Sequence, residues 1–385
     1  MDQEEPDVNE SYILTCLPTV INNVLNYMTA QELNVCARVC KCWCSAVHVI
    51  KEKRQQRNLI KWLSVELWDE TDTPTLISQI QDFFKSLYSE PAMLFLFCQS
   101  ELVKLQFRVP ARSQSNRPRR AAKFEKLEFG DFVQSLLPNT CKFIGVATDG
   151  VIGTSSNLET IQEVEGETFI SLLSIPHIEG VDILSVSANI AEENITTFIP
   201  KEKAVKTILF FCDDPRCPPQ VGNALRENYE GAVIAGGYIN FHIGLDVSYG
   251  DSNDESKPIY VSCVAFCGEN LHCASIVLEH STHTPQKIEE KLLKLKGCGL
   301  PEEKSFAFMF AFHKNENVES SIFKKHFPKT PLVGFLGNGE ISFTHLPDAS
   351  AGDARLRLER EEGQRTRLSK MHHLYATVIC LVSIT

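Results

Sequence analysis

The feature that most constrains this chain is a series of short apolar runs of strand length, separated by segments with helical periodicity. The run "MLFLFC" at residues 93–98 contains no polar residue, which is typical of a strand that is buried on both faces. Apolar runs of strand length also predict strands at residues 141–148, 169–173, 181–186, 208–212, 306–312 and 332–336. It predicts helices at residues 125–137, 285–296 and 319–326. Strands that alternate with helices predict one or two layered α/β units.

The predicted fold class is therefore α+β overall. A small, all-helical domain at residues 12–58 precedes a larger α/β body, which we divide into two regions of similar make-up, residues 59–200 and residues 201–385. Gly268 and Asn270 lie between two predicted strands, and this pattern of turn residues predicts a hairpin.

The stretch "TPLVGFLGNGEISF" at residues 330–343 predicts a buried strand, a Gly-Asn-Gly turn and a second short strand. Glycine permits a positive φ angle and asparagine tolerates one, and a carboxylate follows the turn directly. A tight hairpin and a ligand site both fit this pattern, whereas a P-loop would need a Lys-Ser/Thr pair that is missing. The candidate ligand or substrate turn consists of Gly334, Gly337, Asn338, Gly339 and Glu340.

The N-terminal domain has its own helical pattern, in which apolar residues recur at spacings of three and four. Thr29 and Glu32 have the spacing of a capping box, which predicts the start of a second helix. Three short helices cannot bury all of these apolar groups among themselves. An apolar face is therefore expected to remain for a partner.

Cysteines crowd the end of this helical pattern at positions 36, 40, 42 and 44, and they raise the question of a metal site. Structural zinc sites have paired ligands on turns, and the spacings here are four, two and two within a helix, with no second pair. We predict that no metal binds and that the cysteines act as small apolar residues.

The helical segment resembles the F-box, the module that docks F-box proteins onto the Skp adaptor of cullin–RING ubiquitin ligases. The residues that carry the resemblance are the expected adaptor contacts: Leu17, Pro18, Val20, Ile21, Val24, Leu25, Leu33, Val39, Cys40 and Trp43. Trp43 is the kind of aromatic anchor that dominates interfaces. The alternative is an ordinary small helical subdomain, in which the apolar stripes form only a core.

The stretch at residues 330–343 resembles the signature of FIST-C domains, which are regarded as sensory α/β modules. An F-box followed by a FIST-type body is similar to one family of F-box proteins, and that likeness covers most of the chain. The family signature tends to have glycine where this chain has Ser342, and a Cys and Arg pattern where it has Phe312 and Asn315. A small-molecule role that depends on those side chains is therefore in doubt, and a protein-binding role is not.

Composition limits the other functions. The formal net charge of −11 disfavours a nucleic-acid binder, although residues 112–123 form a basic loop that is either solvated or a patch for nuclear import or an acidic partner. No secretory signal and no membrane-spanning run is visible, so the expected location is the cytoplasm and the nucleus, with reduced thiols. The sequence contains no G-x-S-x-G, H-E-x-x-H or Rossmann pattern, so we expect neither catalysis nor a cofactor.

Two functions follow as expectations. In the first, the chain is the substrate-recognition subunit of a Skp–cullin–F-box ubiquitin ligase, a non-catalytic adaptor that binds the Skp adaptor and the cullin scaffold through the F-box and protein substrates through the body. In the second, the body binds a small ligand near residues 337–340 and acts as a sensor.

Overall fold

The fold was derived from a computed structural model that describes most of the chain. The described residues are 18–55, 60–67, 73–110, 124–190, 195, 198–200, 202–217, 219–244, 258–279, 284–312, 317–347, 371–373 and 375–385. The α-helices in these ranges are α1 Pro18–Leu25, α2 Ala30–Cys36, α3 Lys41–Gln55, α4 Thr73–Lys85, α5 Phe129–Ser135, α6 Pro219–Asn228, α7 Pro285–Lys296 and α8 Val318–His326. None of the described helices combines the length and the apolar content needed to cross a lipid bilayer.

The strands begin directly after the N-terminal helices and continue to the C-terminus. They are β1 Lys61–Leu67, β2 Pro91–Gln99, β3 Gln106–Pro110, β4 Phe124–Glu128, β5 Lys142–Thr148, β6 Gly150–Thr154, β7 Ile161–Glu165, β8 Thr168–Pro176, β9 Asp182–Asn189, β10 Val205–Cys212, β11 Val233–Tyr238, β12 Phe241–Ile243, β13 Tyr260–Cys267, β14 Leu271–Glu279, β15 Ser305–Ala311, β16 Leu332–Leu336, β17 Glu340–Ser342, β18 His372–His373 and β19 Ala376–Ile384. The predicted α+β class, with helices first and a larger, strand-rich body after them, is confirmed.

The body strands form three large sheets and a two-stranded ribbon among the described residues. The first sheet has the order β1-β8-β2-β5-β12, and the ribbon pairs β3 with β4. The second sheet has the order β18-β17-β11-β10-β13-β9, and the third has the order β14-β19-β15-β16-β6-β7. The helix predicted at residues 125–137 is wrong in its first part, because residues 124–128 are the second strand of the ribbon and α5 begins only at Phe129.

One topology occurs three times along the body. In each unit an edge strand leads to a pair of parallel strands, β2 with β5, β10 with β11 and β15 with β16. After the second parallel strand the chain turns and places a short strand, β6, β12 or β17, in the sheet of another unit. A last strand, β8, β13 or β19, returns antiparallel to the first strand of its pair. The sheets thus contain strands from both sides of residue 200, and the body repeats in thirds where the sequence suggested two halves.

The hairpin predicted at residues 268–270 is wrong, and the hairpin alternative for residues 337–339 is wrong for the same physical reason. Gly268 to Asn270 connects β13 in the second sheet to β14 in the third, and Gly337 to Gly339 connects β16 in the third sheet to β17 in the second. Glycine allows the backbone to turn sharply, but the turn itself does not decide which sheet the next strand joins.

The three sheets enclose one common core, and helices cover their outer faces. Along β2, Met93, Phe95 and Phe97 point into the common core, while Leu94 and Leu96 pack with α4 and α5 on the outside. Phenylalanines from the three sheets meet at the centre, with ring centroids 6.5 Å apart for Phe97 and Phe211 and 6.0 Å for Phe211 and Phe335. Strands buried on both faces account for the continuous apolar runs in the sequence.

Candidate functional site

The N-terminal helices have a small core of their own. Ile21, Leu25 and Leu33, which were predicted as adaptor contacts, are at most 1% exposed and pack with Val47 and Ile50. In this structure they form the core beneath the exposed side chains and are not available to a partner. A helix of this length buries one stripe of side chains, and the sequence pattern does not say which apolar residues belong to it.

The start of α2 is fixed by the predicted capping box. The Thr29 N–H donates to Glu32 Oε2 at 2.7 Å, and the Glu32 N–H donates to Thr29 Oγ1 at 3.4 Å. These bonds satisfy backbone donors that the first turn of a helix leaves without partners.

The remaining predicted adaptor contacts that the structure describes lie at or near the surface. Val39 is 60% exposed, Pro18 is exposed, and Val20, Val24, Cys40 and Trp43 are half-buried. Leu17 lies outside the described residues. The sequence reasoning missed other exposed apolar side chains of this domain, namely Tyr27 at 83%, Val35 at 66% and Val49 at 43%. Their positions between the core residues Leu25, Leu33, Val47 and Ile50 are the signal that could have found them, because neighbouring residues on a helix point to different sides.

The described cysteines of this domain differ in their exposure. Cys36 and Cys40 are half-buried, and Cys42 and Cys44 are exposed. Across the described part of the chain, no group of three or more His, Cys, Asp or Glu side chains has the arrangement of a metal site.

A second candidate surface lies in the body, where the three units exchange strands. Each crossing carries an Asp or Asn: Asp149 between β5 and β6, Asn240 between β11 and β12, and Asn338 between β16 and β17. We call these three crossings the axial turns. Asn338 Nδ2 donates to Asn240 Oδ1 at 2.9 Å, and Asn240 Nδ2 donates to Asp149 Oδ1 at 2.6 Å and to Ser100 Oγ at 3.0 Å.

The axial turns also share backbone contacts with neighbouring units. The Asn240 N–H donates to the Ala147 carbonyl at 3.0 Å, and the Asn338 N–H donates to the Tyr238 carbonyl at 3.3 Å. Of the axial turns, sequence reasoning found only that of Asn338. The signal for the others was an Asp or Asn at the end of a buried apolar run, in "FIGVATDG" and "VIAGGYIN".

The structure gives the five predicted residues of the Asn338 turn different roles. Asn338 is exposed and its φ angle is not positive, whereas Gly339 has a φ of 134°. Gly334 lies inside β16 with a φ of 158°, where a Cβ atom would stand 1.8 Å from the Met309 carbonyl oxygen. A Cβ on Gly337 would stand 2.4 Å from the Tyr238 carbonyl oxygen, so these two glycines are needed for close backbone packing.

Glu340 is buried directly below the Asn338 turn. Its side chain is 1% exposed, Oε2 accepts a hydrogen bond from the Ala376 N–H at 3.1 Å, and Oε1 has no hydrogen-bond partner in the structure. Burial raises the pKa of Glu340 to about 8, against the lowering effect of the Ala376 hydrogen bond. At neutral pH this side chain is therefore mostly the neutral acid, and it does not present a carboxylate to solvent.

An aromatic pair flanks the same turn. Tyr375 is 54% exposed and has a φ of 63°, and its ring meets that of Phe312 edge to face at a centroid distance of 4.4 Å. Ala376, the next residue, contacts Glu340, and Ala311, the residue before Phe312, accepts the Gly337 N–H. An exposed tyrosine beside polar turns can supply both apolar area and hydrogen bonds to a protein partner.

Comparison with known proteins finds a family match for the N-terminal helices and similar proteins that align with nearly the whole chain. Residues 14–55 match the F-box domain family, a range that includes α1, α2 and α3. F-box only protein 22 from Homo sapiens is 24% identical over 413 aligned residues, which cover 98% of this chain and 95% of the relative. F-box only protein 22 from Pongo abelii is 23% identical over the same shares. The chain thus carries an N-terminal F-box domain and is similar to F-box only protein 22 over 98% of its length.

Proposed function

We propose that this chain is the substrate-recognition subunit of a Skp–cullin–F-box ubiquitin ligase. The observation that carries the proposal is the F-box match over residues 14–55, on helices whose core is small and whose apolar residues remain exposed in the described domain. The chain acts as an adaptor. It holds a substrate near the enzymes that transfer ubiquitin, and it thereby raises the effective concentration of the reacting groups.

A charge placed on the exposed F-box surface tests the docking step. Val39 is 60% exposed, so Val39→Asp does not disturb the core of the domain. Each valine buried on docking contributes about 1.5–3 kcal/mol, and an unpaired carboxylate in an interface costs more. We expect the affinity for purified Skp adaptor, measured by titration calorimetry, to fall at least about tenfold, which corresponds to 1.4 kcal/mol.

Leu293→Asp is the matched control, because Leu293 is 49% exposed on α7 of the body. It should bind the Skp adaptor like the unmodified chain. Equal binding by the unmodified chain and the Val39→Asp variant would show that α1–α3 do not dock in the proposed way.

We infer further that the body recruits substrate proteins at the axial turns and at Tyr375. The support is the exposed aromatic ring beside exposed polar turns at the ends of the parallel strand pairs, which is the end of α/β sheets where ligands most often bind. Because Tyr375 has a positive φ, Tyr375→Asn removes the ring with little backbone strain.

Quantitative affinity purification under proteasome inhibition, followed by mass spectrometry, measures the recruitment of substrate proteins by the body. The Tyr375→Asn variant should retain the Skp adaptor and lose co-purified substrates, while a Leu293→Asn variant should retain both. An unchanged set of co-purified proteins in Tyr375→Asn would place substrate binding elsewhere on the body.

A further inference from the structure

Arg54, in the last turn of α3, joins the F-box domain to the body. It is only 7% exposed, and its Nη2 donates to the carbonyls of Asn26 at 3.1 Å and Met28 at 2.7 Å, with a longer bond to Leu25 at 3.4 Å. Its Nη1 donates to the carbonyl of Tyr88 in the body, and the guanidinium carbon lies 5.5 Å from the centroid of the Tyr88 ring. One side chain therefore ties the end of α1 to the loop between α4 and β2.

A second set of contacts reaches the same loop from α2 and α3. Glu90 Oε1 accepts hydrogen bonds from Asn34 Nδ2 at 2.6 Å and from Lys51 Nζ at 3.1 Å. Lys51 also donates to Asn34 Oδ1 at 2.6 Å, and the Ala30 N–H donates to the Leu87 carbonyl at 2.8 Å. All three helices of the F-box domain thus have a polar contact at loop 86–90, either directly or through Arg54.

The contacts between the F-box domain and loop 86–90, which we call the joint, resist rotation of the F-box domain relative to the body. Lys51 and Arg54 are three residues apart on α3, about 4.5 Å along its axis, so two separate points of one helix are fixed. A buried guanidinium is tolerated only when its donors are satisfied, and here backbone carbonyls from both parts satisfy them together. A change in the angle between the parts would break several hydrogen bonds at once: that of Arg54 to the Tyr88 carbonyl, those of Glu90 to Asn34 and Lys51, and that of the Ala30 N–H to the Leu87 carbonyl.

From these contacts we propose that Arg54 is a positioning residue that locks the F-box domain and the body into one orientation. The proposal rests on the proposed function in one respect: with the Skp adaptor docked on the F-box domain, a rigid joint fixes where the body holds a substrate relative to the ubiquitin-transferring enzyme. Small displacements of reacting groups carry large costs in rate, so a fixed joint restricts which lysines receive ubiquitin.

The joint itself is tested on the full-length chain without any partner. Fluorophores on non-canonical amino acids at positions 27 and 293, exposed sites on the two parts, report the distance distribution between them. We expect a narrow distribution for the unmodified chain and a broader one for Arg54→Ala. Lys53→Ala, which removes the neighbouring exposed lysine of the same turn, should keep the narrow distribution. A narrow distribution in a folded Arg54→Ala variant would overturn the proposal.

If circular dichroism shows that Arg54→Ala unfolds, two milder changes take its place. Arg54→Lys keeps a charge but cannot reach all the carbonyls, and Glu90→Ala removes the acceptor shared by Asn34 and Lys51. A broader distribution in either variant supports the proposal, and narrow distributions in both contradict it.

The consequence for transfer is measured in a ligase reconstituted from the Skp adaptor, the cullin with its RING subunit and the full chain, and supplied with ubiquitin, ATP, and the activating and conjugating enzymes. The probe is the chain's own set of lysines. Mass spectrometry should find ubiquitin on few lysines of the unmodified chain and on a wider set in Arg54→Ala, at equal affinity for the Skp adaptor. An unchanged set of modified lysines would refute the positioning role. A chain that shows the expected distances but never binds the Skp adaptor would leave the joint in place and remove the proposed function.

Discussion

At the residue scale, contacts with distant parts of the chain determine the environment of Glu340 and of the glycines Gly334 and Gly236. Glu340 is read as a carboxylate presented by a turn, yet the structure buries it at 1% exposure between β11 and β18. The sequence pattern places Gly334 in the candidate ligand or substrate turn, whereas the structure places it inside β16. The reason for a glycine there is the Met309 carbonyl on the parallel neighbour β15. Gly236 on β11 faces Phe210 in the same way, with a Cβ again 1.8 Å from a carbonyl oxygen. Contacts between distant residues decide both cases, and no local pattern encodes them.

Glu340 predicts a specific dependence of stability on pH. Between the ordinary pKa of 4.5 and the folded value of about 8, the folded chain keeps a proton that the unfolded chain has lost. Glu340 therefore contributes its full stability below pH 4.5, and the contribution is lost as the pH rises through about 8. Within that interval the free energy of unfolding should fall by about 1.4 kcal/mol per pH unit through this group.

Urea unfolding of the Glu340→Gln variant between pH 5 and pH 9 measures this contribution, because this range includes the folded-state pKa of about 8. The variant should lack the decline, so that its stability relative to the unmodified chain rises with pH. Glu269→Gln, which alters a side chain that is 83% exposed, should follow the unmodified chain. Parallel curves for Glu340→Gln and the unmodified chain would mean that Glu340 is not buried as described.

At the scale of elements, long periodic segments were predictable and connections were not. The predicted bounds of α7 and β16, residues 285–296 and 332–336, agree with the structure, because the helix has one apolar stripe and the strand is apolar throughout. Short strands such as β6 and β12 carry too few residues to show a period. The destination of a strand after a glycine turn depends on packing around the common core, which the turn residues do not encode.

The axial turns hold the exchanged strands together through Asn240. Asn240→Ala removes the bonds to Asn338, Asp149 and Ser100, and one of those partners is charged. At about 0.5–1.5 kcal/mol for a neutral hydrogen bond, and more for a charged one, the free energy of unfolding should fall by about 1–3 kcal/mol in urea titrations.

Asn338→Ala is the matched variant, because it removes only the side-chain bond to Asn240 and should cost less. The double variant should cost less than the sum of the two single changes, since both remove that same bond. Strict additivity would show that the two asparagines do not interact.

At the scale of the whole molecule, the fold class was predictable and the threefold organisation was not. Each sheet contains a short strand from another unit, as in the pairing of β6 with β16, where Gly150 lies opposite Leu336. The three units have the same strand order without an exact repeat in sequence. The F-box domain was predictable from the sequence because its motif is local and lies within about thirty consecutive residues. Its joint with the body was not, because Arg54 contacts backbone carbonyls, which any sequence supplies.

The central claim is that this chain docks through its F-box domain onto a Skp adaptor that is bound to a cullin, and the molar mass of the assembly tests it most directly. Size-exclusion chromatography with multi-angle light scattering is run on a mixture of the full-length chain, the Skp adaptor and the cullin. The account predicts a single species that contains one copy of each, and the loss of this chain from that species in the Val39→Asp variant. Elution of the unmodified chain apart from a Skp adaptor–cullin complex, at the mass of the chain alone, would contradict it.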